Sequence, residues 1–193
     1  TMTLPDQVNN RTYTDTIALA YSNFDTHGYT VDPYLLVEHP EKKGITVNVP
    51  YRCLLPQGLD RMLVTGLGIS VHRDAVPLTR MQPDIQNQGY SAGLVAATAA
   101  KQDIPLRQVD IKAIQKQLIA KGIVPEHVLS DTDSYPLPDE KIAQAVADVK
   151  DGKGMAVIVT HAEKAIPELR KAYAAAKTPE QKFVYAKVLA VMG

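Results

Sequence analysis

The chain has 193 residues, 45% of them hydrophobic, and its 21 Lys and Arg balance 21 Asp and Glu. That apolar content can bury one or two cores, while a formal charge of zero offers no basic field for nucleic acid. No apolar run approaches the roughly 20 residues a membrane-spanning helix needs, so a soluble chain is expected, and the lone Cys53 excludes an internal disulfide or a cysteine-cluster zinc site.

In chain order, Thr1-Met2-Thr3-Leu4-Pro5 is not a signal peptide. The first strand signal is Thr16-Ile17-Ala18-Leu19-Ala20-Tyr21, followed by turns at Asp25-Thr26-His27-Gly28 and Glu41-Lys42-Lys43-Gly44. Ile45-Thr46-Val47-Asn48-Val49 alternates as a half-buried strand does, so the two strands read as part of an antiparallel sheet. Arg61-Met62-Leu63-Val64-Thr65 is a short apolar run stopping at Gly66 and Gly68, which predicts a buried strand ending in a tight turn. Pro83 suits the first turn of a helix, where the free donors of Asp84, Ile85 and Gln86 face outward from its positive end. Such an end attracts an anion or an electron-rich ring. The small side chains from Gln88 to Ala100 suit a helix packed closely on a sheet or a cofactor.

A second helix is predicted over 109–121, with Asp110 near its start, Ile111, Ile114 and Leu118 on one stripe, and Gly122 as its stop. The aspartates and prolines of 130–138 read as a linker. Beyond them the periodicity is helical. Ile142, Val146 and Val149 form a stripe whose expected partner is Ile114 and Leu118 of the 109–121 helix; it ends at Gly152 and Gly154, and a short helix follows over 155–160. Ile166, Leu169, Tyr173 and Ala176 mark a third helix, and Phe183, Val184, Val188 and Val191 a fourth, opened by Thr178-Pro179-Glu180-Gln181 as cap, first residue and capping partner. Short helices in this succession resemble HEAT-type repeats, and a stack of that kind needs further helices to cover its open face, so the C-terminus reads as truncated.

Four segments, Pro50-Tyr51-Arg52-Cys53-Leu54-Leu55-Pro56, Gly66-Leu67-Gly68-Ile69-Ser70, Arg80-Met81-Gln82-Pro83 and Gln88-Gly89-Tyr90-Ser91-Ala92-Gly93, carry a family resemblance. In this order and spacing they resemble the C-terminal part of the FAD-dependent oxidoreductases, from about Asp15 to about Gly122. The resemblance implies an α+β chain, mainly helical in its C-terminal half, that contains an incomplete FAD/NAD(P)-binding type α/β domain with a few strands. Residues 1–50 are then a remnant of the sheet covering the substrate side of the flavin, 51–129 the C-terminal part of the FAD-binding domain, 130–138 the linker and 139–193 a HEAT-like extension. It further implies FAD contact by Gly66, Gly68, Ser70, Arg80, Pro83, Asp84, Gln88 and Gly89. The alternative for these positions is a tight connection with no ligand.

The glycine-rich fingerprint that binds the FAD pyrophosphate is absent, because Gly66-Leu67-Gly68 has no third glycine. The chain therefore reads as part of a longer enzyme whose N-terminal half is its missing partner, and its compartment and oligomeric state stay open. Two positions depart from the commoner family pattern: Leu67 replaces an arginine, and Asp84 replaces a threonine whose exchange for an acid would repel an anionic flavin.

Acid–base chemistry has three candidates, His72, Arg73 and His27. A histidine beside a flavin could take a substrate hydroxyl proton during hydride transfer, and Arg73 or Arg80 could clamp a substrate carboxylate. The alternative is a polar loop with one internal ion pair. Arg52 either reaches the cofactor or locks its loop to the sheet, and Cys53 reads as a small buried group. His39, His127 and His161 have no partner at metal-ligand spacing, so no metal site is expected. The competing function is a non-catalytic helical interaction module.

Overall fold

The structure is a computed structural model that describes residues 1–38 and 44–192. The predicted turn at 41–44, apart from Gly44 itself, and His39 fall outside the described residues. The chain divides into two compact units, Thr1–His27 with Lys42–Ser134, and Gly28–Glu41 with Tyr135–Gly193.

The first unit is built around an antiparallel ribbon of β1 (Thr16–Asn23) and β2 (Gly44–Pro50), with Leu19 opposite Asn48 and Tyr21 opposite Thr46. Both predicted strands are present. A short helix, α1 (Leu4–Val8), capped by Thr3 and Asp6 in a reciprocal box, packs on β2. Two longer helices, α3 (Gln82–Gln102) and α4 (Ile111–Ala120), pack on β1. Ile17, Val49, Leu54, Val95, Ile114 and Leu118 are all fully buried in this unit. Asp110 caps α4 by accepting from Lys112 N–H (2.9 Å) and Ala113 N–H (3.2 Å), and the helix ends at Gly122 with φ +70°.

The predicted strand over 61–65 is not formed. Arg61 adopts a left-handed φ of +57°, and Arg61 and Met62 are exposed. The link to the rest of the unit is the Val64 N–H donating to the Leu54 carbonyl at 2.9 Å. An apolar run with one such bond and no neighbouring strand stays irregular. The extended pairing occurs further on, where Met2 lies parallel to Val71: Met2 N–H donates to Ser70 O and His72 N–H to Met2 O.

An ion network holds the last residues of this unit. Arg52 bridges Asp15 (Nη2–Oδ1 2.7 Å) and Asp133 (Nη2–Oδ2 3.1 Å), and with Arg11 it stacks on the buried Tyr13, 5.7 and 4.9 Å from the ring centroid. Thr14 Oγ1 also donates to Asp133, and Thr12 N–H donates to Ser134 Oγ. The segment read as a linker is thus pinned where it crosses 132–134.

The second unit is helical: α2 (Tyr34–Val37), α5 (Asp139–Asp148), α6 (Met155–Thr160), α7 (Ala162–Ala175) and α8 (Pro179–Met192). The stripe of Ile142, Val146 and Val149 is buried, and its partners are α6 and α7 rather than the expected 109–121 helix, because the helices that follow in sequence supply the apolar faces. Gly154 is required by both conformation and space, since φ is +83° and a Cβ would stand 2.6 Å from the Ala145 carbonyl oxygen. Thr178 caps α8 by accepting from Gln181 N–H at 3.3 Å. Two stripe assignments differ from expectation. On α7 the buried residues are Ala165 and Leu169, with Tyr173 41% exposed; on α8 they are Tyr185 and Val188, with Phe183 70% exposed. At the start of α7, His161 accepts from Leu137 N–H at Nε2 (3.2 Å) and stands edge-on to Tyr135.

Two expectations follow. Burial opposes ionisation of Asp133, but the Arg52 and Thr14 hydrogen bonds and the nearby guanidinium charges outweigh it and lower its pKa from 3.8. A lowered carboxyl contributes stability that is complete above its unfolded pKa and lost as pH falls through the folded one. Urea melts of Asp133→Asn should therefore lose part of the parent's acid-side destabilisation below about pH 4; parallel profiles would remove the network from the stability of the unit. In the second unit, Val146→Asp buries an unpaired charge worth several kcal/mol, and circular dichroism should show loss of the α5–α8 helicity. An unchanged melt would refute the stripe.

Candidate functional site

The connection from β2 to α3 carries most of the sequence-predicted positions, and backbone bonds set its path. After Pro50 the chain makes a 3-10 turn over Tyr51–Leu54, anchored by Tyr51 N–H to Asp15 O (2.8 Å) and by the Tyr51 hydroxyl, which donates to Leu106 O (2.9 Å). Burial pushes the Tyr51 phenol up to about 12, against the lowering effect of Arg107, so it remains a donor. Cys53 is buried, and its thiol is raised chiefly by that burial. Its carbonyl accepts from Ser70 N–H at 2.8 Å. Arg52 is spent on Asp15 and Asp133, which fits the locking role.

Gly66 opens a second 3-10 turn, Gly66–Gly68, with φ +66°. A Cβ on Gly66 would meet Ile85 Cγ2 at 3.5 Å, so this turn lies on the first turns of α3. Gly68 is tighter, with a Cβ standing 2.8 Å from Val64 Cγ1. Glycine turn and helix start, separated by sixteen residues of sequence, are therefore neighbours. Ser70 is exposed and shares a hydroxyl hydrogen bond with Thr1 (3.0 Å).

Between them a 3-10 segment, Arg73–Leu78, is capped by His72, whose Nδ1 accepts from Asp74 N–H at 3.4 Å. Arg73 is exposed. Arg80 Nη2 donates to the Asp25 carbonyl at 3.0 Å. His27 is exposed and sits 3.5 Å from Asp25 through its Nε2. Pro83 occupies the second position of α3 and is exposed, as is Gly89. The Ile85 N–H is bonded to Met81 O (3.0 Å), so the free donors of this end do not extend to Ile85 and Gln86 as predicted.

The buried face of α3 carries polar residues at 84, 88 and 91, spaced i, i+4, i+7, and they face the outer edge of β1. Asp84 Oδ2 accepts from Tyr21 N–H (3.1 Å), and Ser91 Oγ donates to Ile17 O (2.7 Å). Gln115 on α4 extends the series, its Nε2 donating to Thr14 O (3.1 Å) and Thr16 O (2.8 Å). Gln88 lies between Asp84 and Ser91 on this stripe. It is fully buried, and neither Nε2 nor Oε1 has a hydrogen-bond partner among the described residues. Sequence reasoning missed Ser91 and Gln115. The signal was the helical spacing of polar residues on a face that also carries Ala92 and Val95.

Among the described residues no cluster of three or more His, Cys, Asp or Glu could hold a metal, and no helix is long and apolar enough to cross a membrane. Further along α3, a groove of about 470 Å³ is lined by Leu63, Ala92, Ala96, Ala100, Ile104 and Leu106.

Burial raises the Asp84 carboxyl from 3.8, and the Tyr21 hydrogen bond only partly offsets this. A raised carboxyl favours folding below its unfolded pKa, and that contribution is lost as pH rises through the folded pKa. At neutral pH the buried charge is therefore a cost. Asp84→Asn keeps an oxygen for Tyr21 N–H and removes the charge, so it should raise the urea midpoint at pH 7 and bring no gain below about pH 3.8. A gain equal at both pH values would show that the charge is not its source.

Residues 1–118 match the family model described as FAD dependent oxidoreductase. No curated protein and no solved structure matches the chain. With more than half of its length in that match, and with the glycine turn and the start of α3 inside it, the chain belongs to the FAD dependent oxidoreductase family.

Proposed function

We propose that this chain supplies the ring-side part of the FAD-binding domain of an oxidoreductase that moves a hydride from a small organic substrate to the flavin. The observation that carries this reading is the left-handed Gly66 turn lying on the opening turns of α3, inside the family match. FAD supplies the two-electron acceptor when bound. The residues present fit its ring end. Gly66 lets the backbone approach a flat ligand, the exposed start of α3 at Pro83 offers the positive end of a 21-residue helix, and Gln88 brings a buried amide without a partner among the described residues. In this reading Gly68, Ser70 and Gly89, all exposed, add to that surface, while the buried Asp84 faces β1 and acts on the ring only through its charge.

The pyrophosphate needs the backbone donors of a glycine-rich turn, and this sequence has no such motif. We assign that turn to residues upstream in a longer polypeptide. His72 is then the group that takes the substrate proton, releasing the Asp74 N–H as it does so, with His27 beside Asp25 as second candidate. Arg73 and Arg80 orient a substrate carboxylate.

The test is rapid-reaction reduction of the flavin by substrate in the full-length protein. His72→Ala should slow reduction about a hundredfold with little change in binding, and Arg80→Ala should weaken binding by about 1.5 to 3 kcal/mol. Equal reduction rates in His72→Ala and the parent would remove His72 from the chemistry. The 193-residue chain purified alone should show no flavin absorbance; flavin bands in that spectrum would refute the upstream anchor.

A second reading has its own observation. Phe183 stands 70% exposed on α8, which favours the helical unit as a HEAT-like, non-catalytic binding module.

A further inference from the structure

The helical unit contains a groove of about 360 Å³ bounded by α2, α6, α8 and the turn after α5. Its apolar walls are Val37, Val149, Met155, Phe183, Val184 and Val188. Val149, Met155 and Val188 are almost fully buried, so the floor is part of the core, while the exposed ring of Phe183 forms one lip. A volume of this size accepts an apolar body of about ten heavy atoms.

The polar groups of the groove are few and converge. Lys150 and Lys187 border it, both exposed, and neither has a carboxylate within ion-pair distance among the described residues. Glu38 contributes one carboxyl, at the end where the fully buried Tyr34 side chain stands behind it. The Tyr34 hydroxyl and the Glu38 carboxyl interact with each other, without a well-formed hydrogen bond. Burial raises both, Tyr34 most of all, as a carboxyl and a phenol sharing a low-dielectric corner should be. The two ammonium groups leave the mouth of the groove with an excess positive charge over an apolar floor.

We propose that this groove binds a small amphipathic monocarboxylate, its hydrocarbon or aromatic body on Val149, Met155 and Val188 and its carboxylate between Lys150 and Lys187. Apart from Val37 and Glu38 the lining lies outside the family match, and the site does not depend on the flavin reading.

The experiment is a titration of the 193-residue chain with sodium octanoate, followed by two-dimensional amide NMR, with octylammonium and octanol as comparison probes. Octanoate should give saturable shifts at Val37, Gly152 and Val188 at millimolar concentration or below. The exposed pair Lys150→Ala/Lys187→Ala should leave the fold intact and weaken octanoate by about fivefold or more. Val184→Trp, which fills the groove, should abolish the shifts. The proposal is overturned if octanoate does not saturate, if octylammonium binds equally well, or if the lysine variant binds octanoate as the parent does. Sedimentation showing a dimer that Phe183→Ser dissolves would give the groove to a second copy of the chain and overturn it as well.

Discussion

The outer edge of β1 is the constraint on which the first unit depends. A two-stranded ribbon is marginal by itself and leaves a row of backbone donors and acceptors that must be satisfied or solvated. Here the row is met by side chains: Gln115 takes Thr14 O and Thr16 O, Ser91 takes Ile17 O, and Asp84 takes Tyr21 N–H. These contacts need polar residues on helix faces that would otherwise be apolar. They also fix α3 along the strand at two points two turns apart. Because the start of α3 is fixed relative to β1, the Gly66 turn that rests on Ile85 is fixed as well. Strand edge, helix position and candidate cofactor surface are one chain of cause.

A second network works at the other end of the unit. Tyr13 is buried against two guanidinium groups, and Arg52 links the start of β1 to residue 133 through two carboxylates. Arg52 is half exposed, so its bridges are partly screened by solvent and hold the segment by geometry more than by strong attraction. The network commits Arg52, within the family match, to locking its loop. Its Nε, Nη1 and Nη2 are engaged by Asp15, Asp133 and Thr14, whereas Arg80 donates to the Asp25 carbonyl.

Elements with a strong period or a strong cap were legible in the sequence. β1 and β2 followed from alternation, α4 from Asp110 and Gly122, and α6 and α8 from their glycine and Thr-Pro starts. The run over 61–65 was misjudged because apolar content alone does not supply a neighbouring strand, and Arg61 turns the chain out of extended geometry. Phe183 and Tyr173 were misjudged because α8 has apolar residues on every side and α7 a stripe that alanine can complete. At the candidate site the sequence showed which residues form the connection. It could not show that glycine turn and helix start are neighbours, nor that Asp84 and Ser91 face a strand edge, because both are tertiary relations between residues far apart in the chain.

Asp84 shows how the two levels combine. An acid at the start of a helix is favoured by the helix dipole, and in sequence it looks like a repulsive neighbour for a reduced flavin. In the fold its Oδ2 lies against Tyr21 N–H, and the side chain is about nine-tenths buried. Two effects then compete. Desolvation disfavours the anion, while the helix end and the strand N–H favour it, and the net result is a raised pKa. A second negative charge arriving at the same helix end would raise it further, so the group that seems to oppose an anion there is also the one most ready to become neutral. A threonine here could accept from Tyr21 N–H but would not titrate. The substitution therefore couples the strand edge to the electrostatics of the helix start.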